Sequence, residues 1–197
     1  MRKTLIWISA ALSVLGGSPA RADPAAVADL VSRTWFEGIP IEEAAGLDAA
    51  DGIWLAEQLA DPNASAQHGN IAIALGACGC GPAFEALASF ASATVERDGQ
   101  TGPNKALRAL PQAMGLLSQR DPRALAWLQA RASRAPAKTD SPEERRLYAL
   151  VLQGLAQSGT RVAGRQLTEI EAQANARGDA AAARWARQAL YQWRQKK

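Results

Sequence analysis

Residues 70–81 read Asn-Ile-Ala-Ile-Ala-Leu-Gly-Ala-Cys-Gly-Cys-Gly. The first glycine in this stretch, Gly76, recurs as Gly115 and Gly154 at a spacing of 39 residues. Ile71, Leu110 and Ala149 fall in register around it, as do Ala74, Ala113 and Leu152. So do Ala77, Leu116 and Leu155, then Cys78, Leu117 and Ala156. Positions i, i+3, i+6 and i+7 make one stripe on a helix. Each stripe ends in a tight turn: Gly79-Cys80-Gly81, Gln119-Arg120-Asp121, or Ser158-Gly159. A second apolar stripe follows each turn: Phe84, Leu87, Ala88 and Ala91; Leu125, Leu128 and Ala132; Ala163, Leu167, Ile170 and Ala174. These second stripes align only with a slip of one or two residues. A helix pair of this length cannot bury its apolar face alone, whereas stacked pairs build a continuous core. An ordinary Ala/Leu-rich helical bundle is the alternative arrangement.

The rest of the chain agrees with an all-helical reading. Proline, glycine and small polar clusters cut it into segments of helical period, with no alternating strand pattern. The expected helices are roughly 24–36, 46–60, 66–78, 82–95, 104–118, 122–133, 142–157, 160–176 and 179–195. Ser141-Pro142-Glu143-Glu144 has the form of a capping box with proline in the first turn. Asp121-Pro122 and, more weakly, Gly81-Pro82 and Gly159-Thr160 mark further starts, and Gly178-Asp179 ends one helix and caps the next. With 48% hydrophobic, 21% charged and 6% aromatic residues among 197, the composition excludes disordered, collagenous and disulfide-stapled classes.

The stretch from Trp54 through the Asp61-Pro62-Asn63 loop into Asn70–Ala77 resembles bacterial HEAT-like repeats, in which an Asp-Pro loop separates one pair from the next. Asp121-Pro122 is similar to the family's turn within a pair. Pro111 resembles the proline that bends the first helix of a pair. The resemblance covers roughly residues 46–176 and implies a right-handed α-solenoid of about three helix pairs. Residues 24–45 and 179–195 would then be end caps. The linkers 98–103 and 134–141 are longer than family loops, and the basic residue that often precedes the first helix's glycine is missing. A tetratricopeptide array fits worse, because the period is 39 and its Trp/Gly/Tyr pattern is absent.

The first 22 residues read as a leader outside the fold. Met1-Arg2-Lys3 is a positive start, Thr4–Gly16 an uncharged apolar run, and Ala20-Arg21-Ala22 a cleavage site before Asp23. The run is too short for a membrane span, which needs about 20 residues. The expectation is a periplasmic or secreted protein made of one repeat domain, residues 23–197. Losing Arg2, Lys3 and Arg21 would leave 19 basic and 19 acidic residues. The high pI is therefore no argument for nucleic-acid binding. Charge is segregated along the chain instead: 11 acids and two bases over residues 23–97, against 8 acids and 17 bases over 98–197.

Few residues carry candidate chemistry. Cys78 and Cys80 leave three readings open: two buried thiols, a disulfide across one residue, or a metal or redox pair. His68, the lone histidine, lies about 15 Å along a helix from Cys78, too far to share a metal with it. A surface or capping role is expected for it. Glu143-Glu144 suits the first turn of a helix, and Glu42-Glu43 is a second acidic pair. No phosphate loop, metalloprotease helix or serine elbow is present in the sequence. Trp54 and Trp127 fit the core. Trp185 and Trp193 share a face of the basic last helix, which reads as a docked cap or as a weak envelope-surface anchor over 179–197.

Arg120, Arg123, Arg131, Arg161 and Arg165 fall on second helices and their turns, the elements that line the concave face in HEAT-type solenoids. The expectation is a positive groove for an acidic protein partner. The function expected is a non-catalytic interaction or assembly scaffold without cofactor. A metal- or redox-handling protein built on Cys78 and Cys80 is the alternative.

Overall fold

The computed structural model describes residues 24–35, 38–101, 105–137 and 140–196. The expected leader lies outside the described residues. The described chain is all-helical, with no strand among the described residues. Its helices are α1 (Pro24–Ser32), α2 (Ile41–Ala45), α3 (Ala49–Ala60), α4 (His68–Cys78), α5 (Ala83–Thr101), α6 (Leu110–Leu117), α7 (Pro122–Ala132), α8 (Pro142–Ser158), α9 (Arg161–Ala176) and α10 (Ala180–Gln195).

Local chemistry sets the boundaries. Ser141 accepts from the Glu144 N–H, and the Glu144 carboxylate accepts from the Ser141 N–H, so α8 opens on the expected capping box. Asp121, Thr160 and Asp179 cap α7, α9 and α10 through their side-chain oxygens. Gly159 and Gly178 take positive φ, 65° and 66°, where the chain reverses. Asp48 caps α3 with a second box to Asp51, so this helix starts at Ala49 rather than 46.

Other expectations need correction. A short helix, α2, occupies Ile41–Ala45. α5 runs through Thr101, so the first part of the expected linker 98–103 is helical. The expected helix 104–118 is divided into a 3-10 turn, Lys105–Arg108, and α6. Pro111 lies in the first turn of α6 and does not bend a helix interior, because a first-turn residue has no intrahelical acceptor for the N–H that proline lacks.

Packing follows chain order. α4 lies on α6, α6 on α8, and α8 on α10, while α3 packs on α5 and α7 touches α9. Helices adjacent in sequence also pair, as α3 with α4, α6 with α7, and α9 with α10. Side-chain hydrogen bonds between elements repeat the period. Asn70 donates to Val31 O, Gln119 to Gln157 O, Gln166 to Gln129 O and Lys196 to Gln157 Oε1, at separations of 37 to 39 residues.

The recurring glycines sit where helix backbones meet. A Cβ on Gly76 would fall 2.6 Å from Ala113 Cα, and one on Gly115 would fall 2.5 Å from Gly154 O. One on Gly154 would fall 2.9 Å from the Pro111 carbonyl carbon. The 39-residue spacing is thus the spacing at which α4, α6 and α8 touch without side chains between them. Leu75, Met114, Leu152 and Leu155 are fully buried around these contacts. Each such side chain contributes about 1.5–3 kcal/mol. One apolar cluster runs from Val27 to Leu190, with Trp54 and Trp127 half-buried against it.

The last helix is docked. Ala182, Ala183, Ala186, Ala189 and Leu190 are buried, and α10 packs on α8 and α9. Trp193 donates to Thr160 O at 2.8 Å. Its ring fills the space over Gly164, where a Cβ would lie 2.5 Å from Trp193 Cζ2. Trp185 also packs against the core. The apolar face that could have met a lipid surface is occupied by internal packing, because small alanines let α10 approach its neighbours closely.

Candidate functional site

The turn between α4 and α5 holds the two cysteines. Gly79 adopts φ +58° as the C-cap of α4, which brings the Cα atoms of Cys78 and Cys80 to 5.1 Å. They form a disulfide and no free thiol remains. This settles the open reading against two thiols, and leaves no thiolate pair for a soft metal ion in this state. Cys78 is 2% exposed; Cys80 is half-buried. The Cys80 N–H points at Cys78 Sγ across 3.2 Å. Gly52 of α3 lies directly against Cys80, since a Cβ there would come 2.8 Å from Cys80 Sγ.

Arg120 reaches back from the end of α6 to this turn. Its guanidinium donates to the Cys78 carbonyl oxygen, and its side chain packs over Gly79, whose added Cβ would meet Arg120 Cδ at 2.8 Å. Arg123, at the start of α7, is held by two carboxylates: Nη2 lies 2.6 Å from Asp121 Oδ2 and Nη1 2.5 Å from Glu85 Oε1. It also covers the Phe84 ring at 4.5 Å. The hydrogen bonds from Arg123 hold both carboxyls below their ordinary values and raise the Arg123 guanidinium above its own. Arg131 stacks on Trp127, with Cζ 3.4 Å from the ring centroid. Burial, then the nearby Arg134, pushes its guanidinium down.

Arg161 and Arg165 of α9 do come together. With Arg194 of α10 they line a concavity of about 640 Å³, whose other walls are Gly164, Thr168, Leu190 and Trp193. None of these three arginines makes an ion pair among the described residues. The five expected groove residues are therefore not equivalent. Arg120 and Arg123 serve contacts to residues 78–85, Arg131 serves an aromatic stack, and only Arg161 and Arg165 share an open positive site. Arg194 was legible as part of the basic last helix, but its partnership with α9 depends on how α10 docks.

His68 departs from its expected surface position. It is 5% exposed, and its Nε2–H donates to Asp61 O at 2.9 Å. Its ring meets Phe90 edge-on at 5.0 Å. The Asp61–Ala64 turn folds back over the start of α4, which buries the ring and leaves Nδ1 without a hydrogen-bond partner among the described residues. Glu143 pairs with Arg108 at 2.9 Å, and Glu144 belongs to the α8 cap, so this acidic pair is structural. Among the described residues no group of three or more His, Cys, Asp or Glu could hold a metal ion, and no helix is long and apolar enough to cross a membrane. No protein-family model, curated protein or solved structure matches the chain.

Proposed function

We propose that this chain is an exported HEAT-like α-solenoid that serves as a protein-interaction or assembly scaffold and takes an acidic partner at the Arg161–Arg165–Arg194 concavity. The observation that carries the reading is this trio of guanidiniums, exposed around one concavity and without carboxylate partners among the described residues. Unneutralised arginines beside a tryptophan suit planar recognition of carboxylates on a partner. The solenoid reading draws support from packing in chain order and from cross-element hydrogen bonds at the repeat spacing. Export draws support from the leader-like residues 1–22 and from the disulfide, since cytosolic thiols are kept reduced.

Affinity capture from the native envelope fraction tests this reading. Arg161→Glu with Arg165→Glu should cut capture of the partner by about tenfold or more at low salt, with a shallower salt dependence than the parent. Arg123→Gln, which removes a cation already engaged by Glu85 and Asp121, should leave capture unchanged. Equal capture by the double variant and the parent would refute an acidic partner at this site.

A further inference from the structure

We propose that the Cys78–Cys80 disulfide is a thiol–disulfide exchange site that oxidises a dithiol of another protein, with Cys80 as the attacked sulfur and Cys78 as the leaving one. The bridge encloses only Gly79. Stabilisation from loop closure grows with the length enclosed, so a bridge this short adds the least to folding. The turn is also fixed without it: Gly79 ends α4 in the left-handed conformation, and its N–H bonds Leu75 O at 2.9 Å. The bridge's distinguishing property is therefore its chemistry.

The two sulfurs are unequal. Cys78 is 2% exposed, whereas Cys80 is half-buried in the turn. Cys80 is the more accessible of the two residues, with the Gly52 backbone of α3 covering one side of its sulfur. Cys78 ends α4, where the carbonyl dipoles disfavour an anion. The Cys80 N–H, 3.2 Å from Cys78 Sγ, offsets this directly, and the Arg120 guanidinium, bonded to the Cys78 carbonyl oxygen, adds a positive charge at the same helix end. A backbone donor and an adjacent cation stabilise a thiolate and so improve it as a leaving group. Arg120 is a positioning residue in this scheme.

A substrate thiol loses its proton to solvent, and its sulfur bonds to Cys80 Sγ. The Cys78–Cys80 bond breaks, its electron pair leaves on Cys78, and that thiolate takes up a proton. The substrate's second thiolate then attacks the substrate sulfur of the mixed disulfide and displaces Cys80, which is protonated in turn. Two electrons pass from the substrate dithiol, now a disulfide, to the cysteine pair.

The test is redox titration of the full native protein in graded glutathione buffers, read by alkylation and mass. The bridge should open reversibly within the glutathione range while the far-ultraviolet circular dichroism stays helical. In Cys78→Ser, Cys80 should form a mixed disulfide with oxidised glutathione at least about tenfold faster than Cys78 does in Cys80→Ser, as exposure dictates. In reduced Arg120→Gln, the pH midpoint of the thiolate absorbance should rise, a change that a merely structural contact would not cause. A bridge that persists in the native protein under excess reduced glutathione and opens only on denaturation overturns the proposal. So do single-cysteine variants that react at equal rates. If either variant fails to fold, the titration of the unaltered protein decides alone.

Discussion

Glycines that look alike in the sequence do different work. Gly69 and Gly76 both lie in α4, seven residues apart. A Cβ on Gly69 would meet only Ala109 Cβ, at 3.9 Å, while one on Gly76 would press into the Ala113 backbone. Gly69→Ala should therefore stabilise the fold by about 0.5 kcal/mol, through lost freedom of the unfolded chain. Gly76→Ala should cost about 1–3 kcal/mol, because two helix backbones must separate. Urea unfolding midpoints check both, and a destabilisation by Gly69→Ala as large as that by Gly76→Ala would contradict the packing described. The 39-residue spacing in the sequence pointed to Gly76, Gly115 and Gly154 as a set. What they touch was not legible, because close approach is a property of two helices and the sequence displays one at a time. His68 illustrates the converse. The sequence pointed it to a surface or capping role, but burial is decided by the Asp61–Ala64 turn lying over it.

At the scale of the element, boundaries were set by short-range hydrogen bonding and were largely readable. Ser141→Ala removes the hydroxyl that accepts from the Glu144 N–H at 3.2 Å, and should cost about 1 kcal/mol near neutral pH. The same hydroxyl, followed by the Ser141 N–H, holds the Glu144 carboxyl below its ordinary value of 4.5. A carboxyl with a depressed folded-state pKa stabilises the fold above its ordinary value and loses that contribution as pH falls through the folded one. The deficit of Ser141→Ala should accordingly narrow in acid, as thermal melts across that range would show. α2 is not legible in the sequence because five residues are too few for a helical period to register. The division before α6 is not legible either, because Pro111 is compatible with both a bent interior and a first turn; the backbone of Lys105–Leu110 decides between them.

For the molecule as a whole, one apolar cluster from Val27 to Leu190 takes residues from each of the ten described helices. Unfolding should be a single transition, with tryptophan fluorescence and far-ultraviolet circular dichroism coincident in urea. Separated transitions would mean that groups of helices melt independently. The charge segregation seen along the chain did not carry over intact, since Arg123 of the basic half is neutralised by Glu85 of the acidic half. By itself, the sequence determined the helical class and most of the helix limits, because period, caps and turn residues act within a few neighbours along the chain. The tertiary structure alone decided that two cysteines close a bridge, that His68 is buried, and that Arg161 and Arg165 acquire Arg194 as a companion. Each of these depends on distances between residues that only the packing of helices brings together.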